Sequence, residues 1–111
     1  MKPLYQQSCQ QISKDSPALA SSQINQYLTS IPQWVLVDNK AIERDFKFSD
    51  YHHTMAFVNA VAEIAHQEDH HPDLEVSYNH CKVIYTTHAV NGLSMNDFIC
   101  AAKIDRLDYN E

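Results

Sequence analysis

The chain has 111 residues, which is enough for one small domain and too few for two of ordinary size. Fourteen acidic against eight basic residues give a formal net charge of -6, which repels phosphate backbones, so direct binding of DNA or RNA is not expected. The sequence contains no run of about 20 apolar residues that could span a membrane, and no apolar signal-peptide segment near its start.

The N-terminal region divides into a polar arm and a first helix. Residues 1–16 are rich in Gln and Ser and show no hydrophobic periodicity, so we expect a flexible arm followed by a single domain over 17–111. Ser16 and Pro17 together are typical of a helix start, because serine caps a helix and proline favours its first position. They predict a helix over 17–29.

A β-hairpin is predicted next. Residues 34–37 form an apolar run of strand-forming residues, and Asp38 and Asn39 then form a turn that tolerates positive φ. The return strand over 42–48 alternates apolar and polar side chains, which indicates one buried face. Arg44 is the one charged residue on that apolar face.

A long amphipathic helix follows the first hairpin. Ser49 can cap it, and apolar residues recur at helical spacing from there to about Glu68. Pro72 excludes its predecessor from the helical region, so the helix is expected to end near His70. His70 and His71 therefore lie at its C-terminal exit.

The last third of the chain predicts a second hairpin and a closing helix. Residues 74–78 alternate as a strand, 79–80 form a turn, and 81–87 alternate as the fourth strand. Ser94 caps the final helix. The order α-β-β-α-β-β-α predicts an α+β two-layer sandwich, with a four-stranded antiparallel sheet and helices on one of its faces.

Seven histidines are many for a chain of this size. His52, His53 and His80 are interpreted as solvated polar residues, whereas His70 and His71 lie where a helix dipole favours the imidazolium form. His88 closes the fourth predicted strand, and the ends of strands often carry site residues. These last three histidines predict a proton-transfer site, with a merely structural cluster as the alternative.

Two other features of the sequence each allow two interpretations. His66 and His70 are four residues apart, a spacing at which two imidazoles on one helix face can share a metal ion, with His71, His88 or Asp97 as a third ligand. No HExxH motif or cysteine pair supports such a site. Asp97 completes a capping-box pattern with Ser94, and it can also orient a neighbouring imidazole.

The pterin-4a-carbinolamine dehydratase family has a signature that this chain resembles at every spacing: His66-x3-His70-His71-Pro72-x5-Tyr78-x9-His88-x8-Asp97. The resemblance covers roughly residues 18–107 and extends to Trp34, Arg44-x-Phe46-x-Phe48, Val61-Ala62, Thr86-Thr87-His88, Gly92-Leu93 and Ala102-Lys103-Ile104-Asp105. One departure is His66, where many relatives carry an acidic residue. The family's α-β-β-α-β-β-α fold is similar to the order predicted above.

The resemblance implies an activity and a set of site residues. The expected reaction is dehydration of 4a-hydroxytetrahydropterin, which requires an acid and a base but no metal or redox cofactor. The catalytic residues it implies are His70, His71, His88 and Asp97. The stretches that it implies for contact with the pterin substrate are 69–71 and 86–89, which comprise Asp69, His70, His71, Thr86, Thr87, His88 and Ala89.

The resemblance also implies partners, and it leaves two other functional classes open. A homodimer or homotetramer is expected, as is a functional link to an aromatic amino-acid hydroxylase in tetrahydrobiopterin recycling.

Three widely spaced cysteines, Cys9, Cys81 and Cys100, are typical of a reducing, cytoplasmic location. Two functional classes other than an enzyme stay open. Similar proteins also serve as binding modules, including a dimerisation cofactor for a transcription factor, and the other alternative is a small metal-binding protein.

Overall fold

The structure is a computed structural model and describes residues 2–107. Within that range the predicted order of helices and strands and the α+β class are both confirmed. The main elements are α1 (Ser21–Leu28), β1 (Val35–Val37), β2 (Ala41–Lys47), α2 (Tyr51–Glu68), β3 (Asp73–Val76), β4 (His80–Tyr85) and α3 (Met95–Asp105). Two short 3-10 helices, Leu4–Gln6 and His88–Val90, accompany them.

The four strands form one antiparallel sheet in the order β1-β2-β4-β3. Alternate residues of β4 are fully buried, namely Cys81, Val83 and Tyr85, as expected for a strand with one face on the core. That face packs against the buried side of α2, which includes Phe57 and Val61, and against α3. Among helices of the described part of the chain, none is both long and apolar enough to cross a bilayer.

The first hairpin forms with the predicted turn. Asp38 and Asn39 both have positive φ, at 52° and 58°, and the Lys40 N–H donates to the Val37 carbonyl oxygen at 3.0 Å. Arg44 is accommodated on the apolar face because its guanidinium lies 2.7 Å from the carboxylate of Asp105 in α3. Its charge is therefore paired where the sheet meets the helix.

Several element boundaries differ from those predicted, and the capping groups explain two of them. The first helix begins at Ser21 and not at Pro17, because the Gln23 side chain accepts a hydrogen bond from the Ala20 N–H at 2.9 Å. Prediction of Ser49 as the cap of α2 was also wrong. Asp50 takes that role, since its carboxylate accepts from the His53 N–H at 2.9 Å.

The second hairpin is tighter than the alternating sequence pattern indicated. Ser77 N–H donates to the carbonyl oxygen of His80 at 2.9 Å, so the turn centres on residues 78–79. His80 already belongs to β4. The strand ends at Tyr85, two residues before its predicted end, because the chain then leaves the ladder for the loop that carries His88.

The described part of the N-terminal arm contacts the domain. Its 3-10 helix, Leu4–Gln6, lies against α3. Lys103 donates from Nζ to the Tyr5 carbonyl oxygen at 3.0 Å, and the Arg106 guanidinium lies 4.1 Å from the centre of the Tyr5 ring. The mobility of the arm and the domain boundary at residue 17 stay predictions.

Candidate active site

The site begins where α2 ends. Asp69 adopts the left-handed conformation (φ 53°, ψ 43°) and donates its N–H to the carbonyl oxygens of Ala65 and His66. The His70 N–H then donates to the Ala65 carbonyl oxygen at 3.2 Å. The chain thus leaves the helix at Asp69, and His70 lies beyond its last regular turn.

His70 contacts Asp97 of α3 directly. Its Nε2 lies 2.6 Å from Asp97 Oδ1, although the two residues are 27 positions apart in sequence. The Asp97 side chain is 0% exposed and that of His70 is 12% exposed. A charge-assisted hydrogen bond of this length in a buried setting fixes the imidazole in one orientation.

The second carboxylate oxygen of Asp97 is held by the protein itself. Oδ2 accepts from the Thr87 hydroxyl at 2.8 Å and from the Ser94 N–H at 2.9 Å. Ser94 and Asp97 form the capping box that the sequence predicted, and the same carboxylate contacts His70. Both predicted interpretations of Asp97, as a cap and as a partner of an imidazole, therefore hold in one geometry.

The environment of His70 favours its charged form. Burial alone would lower the pKa of this imidazole, but the hydrogen bond and negative charge of Asp97 outweigh burial and raise the pKa above its ordinary value. The ring also stacks on Tyr85 of β4, with centroids 5.2 Å apart and 14° between the planes. The Tyr85 hydroxyl donates to the His70 carbonyl oxygen at 3.3 Å.

His88 lies on the opposite connection, between β4 and α3. It opens the 3-10 helix His88–Val90, so the prediction that it closes the fourth strand was wrong, because that strand already ends at Tyr85. The loop is held at its base, because the Thr87 N–H donates to the Gly92 carbonyl oxygen at 2.8 Å. Both His88 and His71 are exposed.

These two connections border a cavity of about 570 Å³. It is lined by all seven residues expected to contact substrate: Asp69, His70, His71, Thr86, Thr87, His88 and Ala89. Asp97 is not a lining residue and contacts His70 from within the protein. The structure therefore brings the expected catalytic histidines together and places the aspartate behind one of them.

The cavity has a further side that the sequence did not indicate. Its remaining lining residues come from the arm and from the ends of two helices: Cys9, Gln10, Gln11, Ile12, Glu68 and Asn96. Asn96 and Glu68 are close in sequence to expected site residues, which is a weak signal. The arm residues carry no such signal, because residues 1–16 show no periodicity or motif.

The metal-binding interpretation finds no matching geometry in residues 2–107. No group of three or more His, Cys, Asp or Glu side chains there is arranged to hold a metal ion. His66 and His70 do not share a helix face, because α2 ends at Glu68 and Asp69 turns the chain. A spacing of four residues places two side chains on one helix face only where the helix is continuous between them.

The other histidines lie outside the cavity lining. His53 Nδ1 is 2.6 Å from Asp50 Oδ1, and His80 Nδ1 is 3.1 Å from Asp45 Oδ1. His52 is exposed in the first turn of α2. These positions suit the interpretation of all three as solvated polar residues, and they provide controls for substitutions in the cavity.

Known proteins match the chain over most of its length. The family model for pterin 4 alpha carbinolamine dehydratase matches residues 17–107. Two relatives are 50% and 52% identical to this chain over 105 residues. They come from Hydrogenovibrio crunogenus and Nitrosomonas eutropha, and both are provisionally named pterin-4-alpha-carbinolamine dehydratase. Those alignments cover 94% of this chain and 93% and 92% of the two relatives.

A solved structure matches as well. The crystal structure of a transcriptional coactivator/pterin dehydratase from Brucella melitensis superposes with a TM-score of 0.75 at 35% sequence identity. The match covers 79% of this chain and 95% of that one. On the family model, the identities and the shared fold, this chain belongs to the pterin 4 alpha carbinolamine dehydratase family.

Proposed function

We propose that this protein dehydrates 4a-hydroxytetrahydropterin to quinonoid dihydropterin and water by histidine acid-base catalysis. The observation that carries the proposal is a single cavity lined by His70, His71 and His88, with His70 held by the buried carboxylate of Asp97. Family membership supports the substrate class and the hydro-lyase chemistry. The arrangement of proton-transfer groups supports the mechanism.

The reaction requires two proton transfers at neighbouring atoms. The hydroxyl on C4a must be protonated so that it departs as water when the C4a–O bond breaks. The N5–H must lose its proton, so that its electron pair forms the C4a=N5 double bond. A positioned acid and a positioned base suffice for both transfers.

We assign the acid to His70. Its raised pKa increases the fraction of imidazolium near neutral pH, which is the form that donates a proton. Nε2 is engaged by Asp97, so Nδ1 is the nitrogen left to exchange a proton with a ligand. The carboxylate stabilises the cation before transfer and fixes the ring, and it need not change its own protonation state.

We assign the base to His88 and a supporting role to His71. Neutral His88 accepts the N5 proton as His70 gives up its own, so the two imidazoles exchange protonation states while one water leaves. Both His88 and His71 are exposed, which allows exchange with solvent to restore the starting states. His71 binds the substrate or exchanges protons with the other two.

Four further residues are proposed to contact the pterin: Asp69, Thr86, Thr87 and Ala89. The pyrimidine edge of a pterin carries amino and N–H donors next to a carbonyl acceptor. Carboxylate, hydroxyl and backbone groups are suitable partners for such an edge. The Thr87 hydroxyl is already bonded to Asp97, so this residue also supports the acid.

We place the reaction in tetrahydrobiopterin recycling, beside an aromatic amino-acid hydroxylase that produces the 4a-hydroxy compound. A cytoplasmic location is supported by three free cysteines, which suit a reducing compartment. A homodimer or homotetramer is proposed from the family resemblance. Mass measured by size exclusion with light scattering tests the assembly.

The proposed function is tested with substrate generated in place by a hydroxylase. Decay of 4a-hydroxytetrahydropterin is followed in the ultraviolet with and without catalytic amounts of the protein, after treatment with a chelator. We expect acceleration that survives the chelator. Protein that binds pterin without accelerating the decay would favour a binding module, and protein that binds no pterin would contradict the substrate assignment.

A further inference from the structure

The N-terminal arm supplies one side of the cavity. The arm residues that line it are Cys9, Gln10, Gln11 and Ile12. They are far in sequence from the two connections that carry the histidines. We propose that residues 9–12 form a ligand-binding wall of the active site and that Asn96 is the positioning residue that holds this wall in place. The inference rests on the proposed function for the identity of the ligand as a pterin.

Asn96 binds the arm through both halves of its side-chain amide. Its Oδ1 accepts from the Gln10 N–H at 3.0 Å, and its Nδ2 donates to the Gln10 carbonyl oxygen at 2.6 Å. The residue is 5% exposed, so water competes little for these bonds. A paired contact to the donor and acceptor of one residue fixes both the position and the orientation of that backbone.

A second anchor adjoins the first. The Glu68 carboxylate at the end of α2 accepts from the Cys9 N–H at 2.8 Å. Glu68 is itself held by Lys103, whose Nζ lies 3.7 Å away and also donates to the carbonyl oxygen of Tyr5. The arm is therefore attached to both helices that border the cavity, at three successive points along its length.

The wall and the proposed acid depend on the same turn of α3. Asn96 holds the arm and the adjacent Asp97 holds His70, so one rigid helix start sets the distance between them. The wall carries two glutamine amides and the apolar side chain of Ile12. Such a surface suits a planar heterocycle with polar edges, which needs apolar contact and hydrogen-bonding groups together.

A pair of thiols allows the wall to be cross-linked to α3 experimentally. Cys9 Sγ lies 3.5 Å from Cys100 Sγ in α3, whereas the two sulfur atoms of a disulfide are about 2.0 Å apart. The hydrogen bond between the two thiols lowers the pKa of the Cys100 thiol, whose side chain is itself buried. Diamide would take two electrons and two protons from the thiols, forming the S–S bond and the corresponding hydrazine.

The test compares Asn96→Ala before and after formation of the Cys9–Cys100 disulfide. Loss of the paired hydrogen bonds is expected to raise KM and the dissociation constant for 7,8-dihydropterin about tenfold, with kcat changed less than about twofold. Diamide is expected to form the Cys9–Cys100 disulfide and to restore both constants. The double variant Asn96→Ala with Cys9→Ser cannot form this bond and is expected to stay impaired.

Two further variants keep the test independent of the folding of Asn96→Ala. Gln11→Ala combined with Ile12→Ala removes side chains of the wall itself and is expected to weaken 7,8-dihydropterin binding severalfold. Lys14→Ala, on an exposed part of the arm outside the cavity lining, is the matched control and is expected to bind normally.

Unchanged dihydropterin binding in the variants at residues 11, 12 and 96 would overturn the inference. A defect in Asn96→Ala that persists once the Cys9–Cys100 disulfide has formed would also overturn it. Failure of the proposed function is recognised separately, because it appears as wild-type protein that lacks dehydration. Binding of dihydropterin by the variants decides the role of the wall in that case too.

Discussion

His70 and Asp97 form a buried pair whose atoms Nε2 and Oδ1 lie 2.6 Å apart. The pair joins the exit of α2 to the start of α3, and its carboxylate is at the same time the capping group of α3. Structural and proposed catalytic roles therefore coincide in one side chain. Changes at Asp97 should affect the charge of the imidazole and the stability of the helix together.

The first prediction concerns the source of the raised pKa of His70. Replacing Asp97 with Asn removes the negative charge but leaves burial in place, so the pKa of His70 is expected to fall from its raised value in the wild type. Titration of the imidazole proton resonances by NMR measures this change, with exposed His52 as the control. A pKa for His70 that stays raised in Asp97→Asn would show that the carboxylate is not the cause.

The second prediction concerns stability as a function of pH. His70 has a raised pKa in the folded state, so the native protein binds the proton more tightly than the unfolded chain, whose histidine pKa is about 6.5. The contribution of the pair is therefore complete below about pH 6.5 and is lost as pH rises through the folded-state pKa.

Urea unfolding of the wild type and of His70→Gln, measured across this pH range, tests the direction in which stability changes with pH. The stability advantage of the wild type is expected to be largest in the acidic half of the range and to shrink towards alkaline pH. An advantage that grew with pH would require a lowered folded-state pKa and would contradict the effect of Asp97.

The third prediction concerns the cap of α3. Ser94→Ala removes the hydroxyl that accepts from the Asn96 N–H and contacts the Thr87 hydroxyl at 2.8 Å. A loss of about 1 kcal/mol in the free energy of unfolding is expected from the lost cap. Ser94→Thr keeps a hydroxyl and should lose less, and exposed Ser22→Ala in α1 is the matched control. Equal stability of Ser94→Ala and wild type would contradict the account of this helix start.

Local patterns in the sequence were sufficient for most of the fold. The alternation from Ile42 to Phe48 and the Ser94-x-x-Asp97 capping box depend on neighbours within a few residues. The capping box forms as predicted, and the strand forms one residue earlier, at Ala41–Lys47. The start of α1 was missed because its cap is formed by Gln23, a residue inside the helix. The partner of Arg44 lies 61 positions away, which no local pattern indicates.

The site was predicted less completely than the fold, for the same reason. Family resemblance identified the residues that line two sides of the cavity, and their spacing matched a known signature. The third side depends on a side chain that binds a distant backbone, Asn96 to Gln10, and such a contact imposes no periodicity on the arm. The supposed His66–His70 pair failed because one left-handed residue, Asp69, interrupts the helix.

The central claim is that His70 and His88 act as one acid-base unit. Turnover of 4a-hydroxytetrahydropterin is measured for wild type, His70→Ala, His88→Ala, the double variant and the control His52→Ala. Each single change in the cavity is expected to lower kcat by about 10² to 10⁴, and the double change by less than the product of the two. The control is expected to retain wild-type turnover. Full activity in both single variants, with the protein folded, would contradict the account.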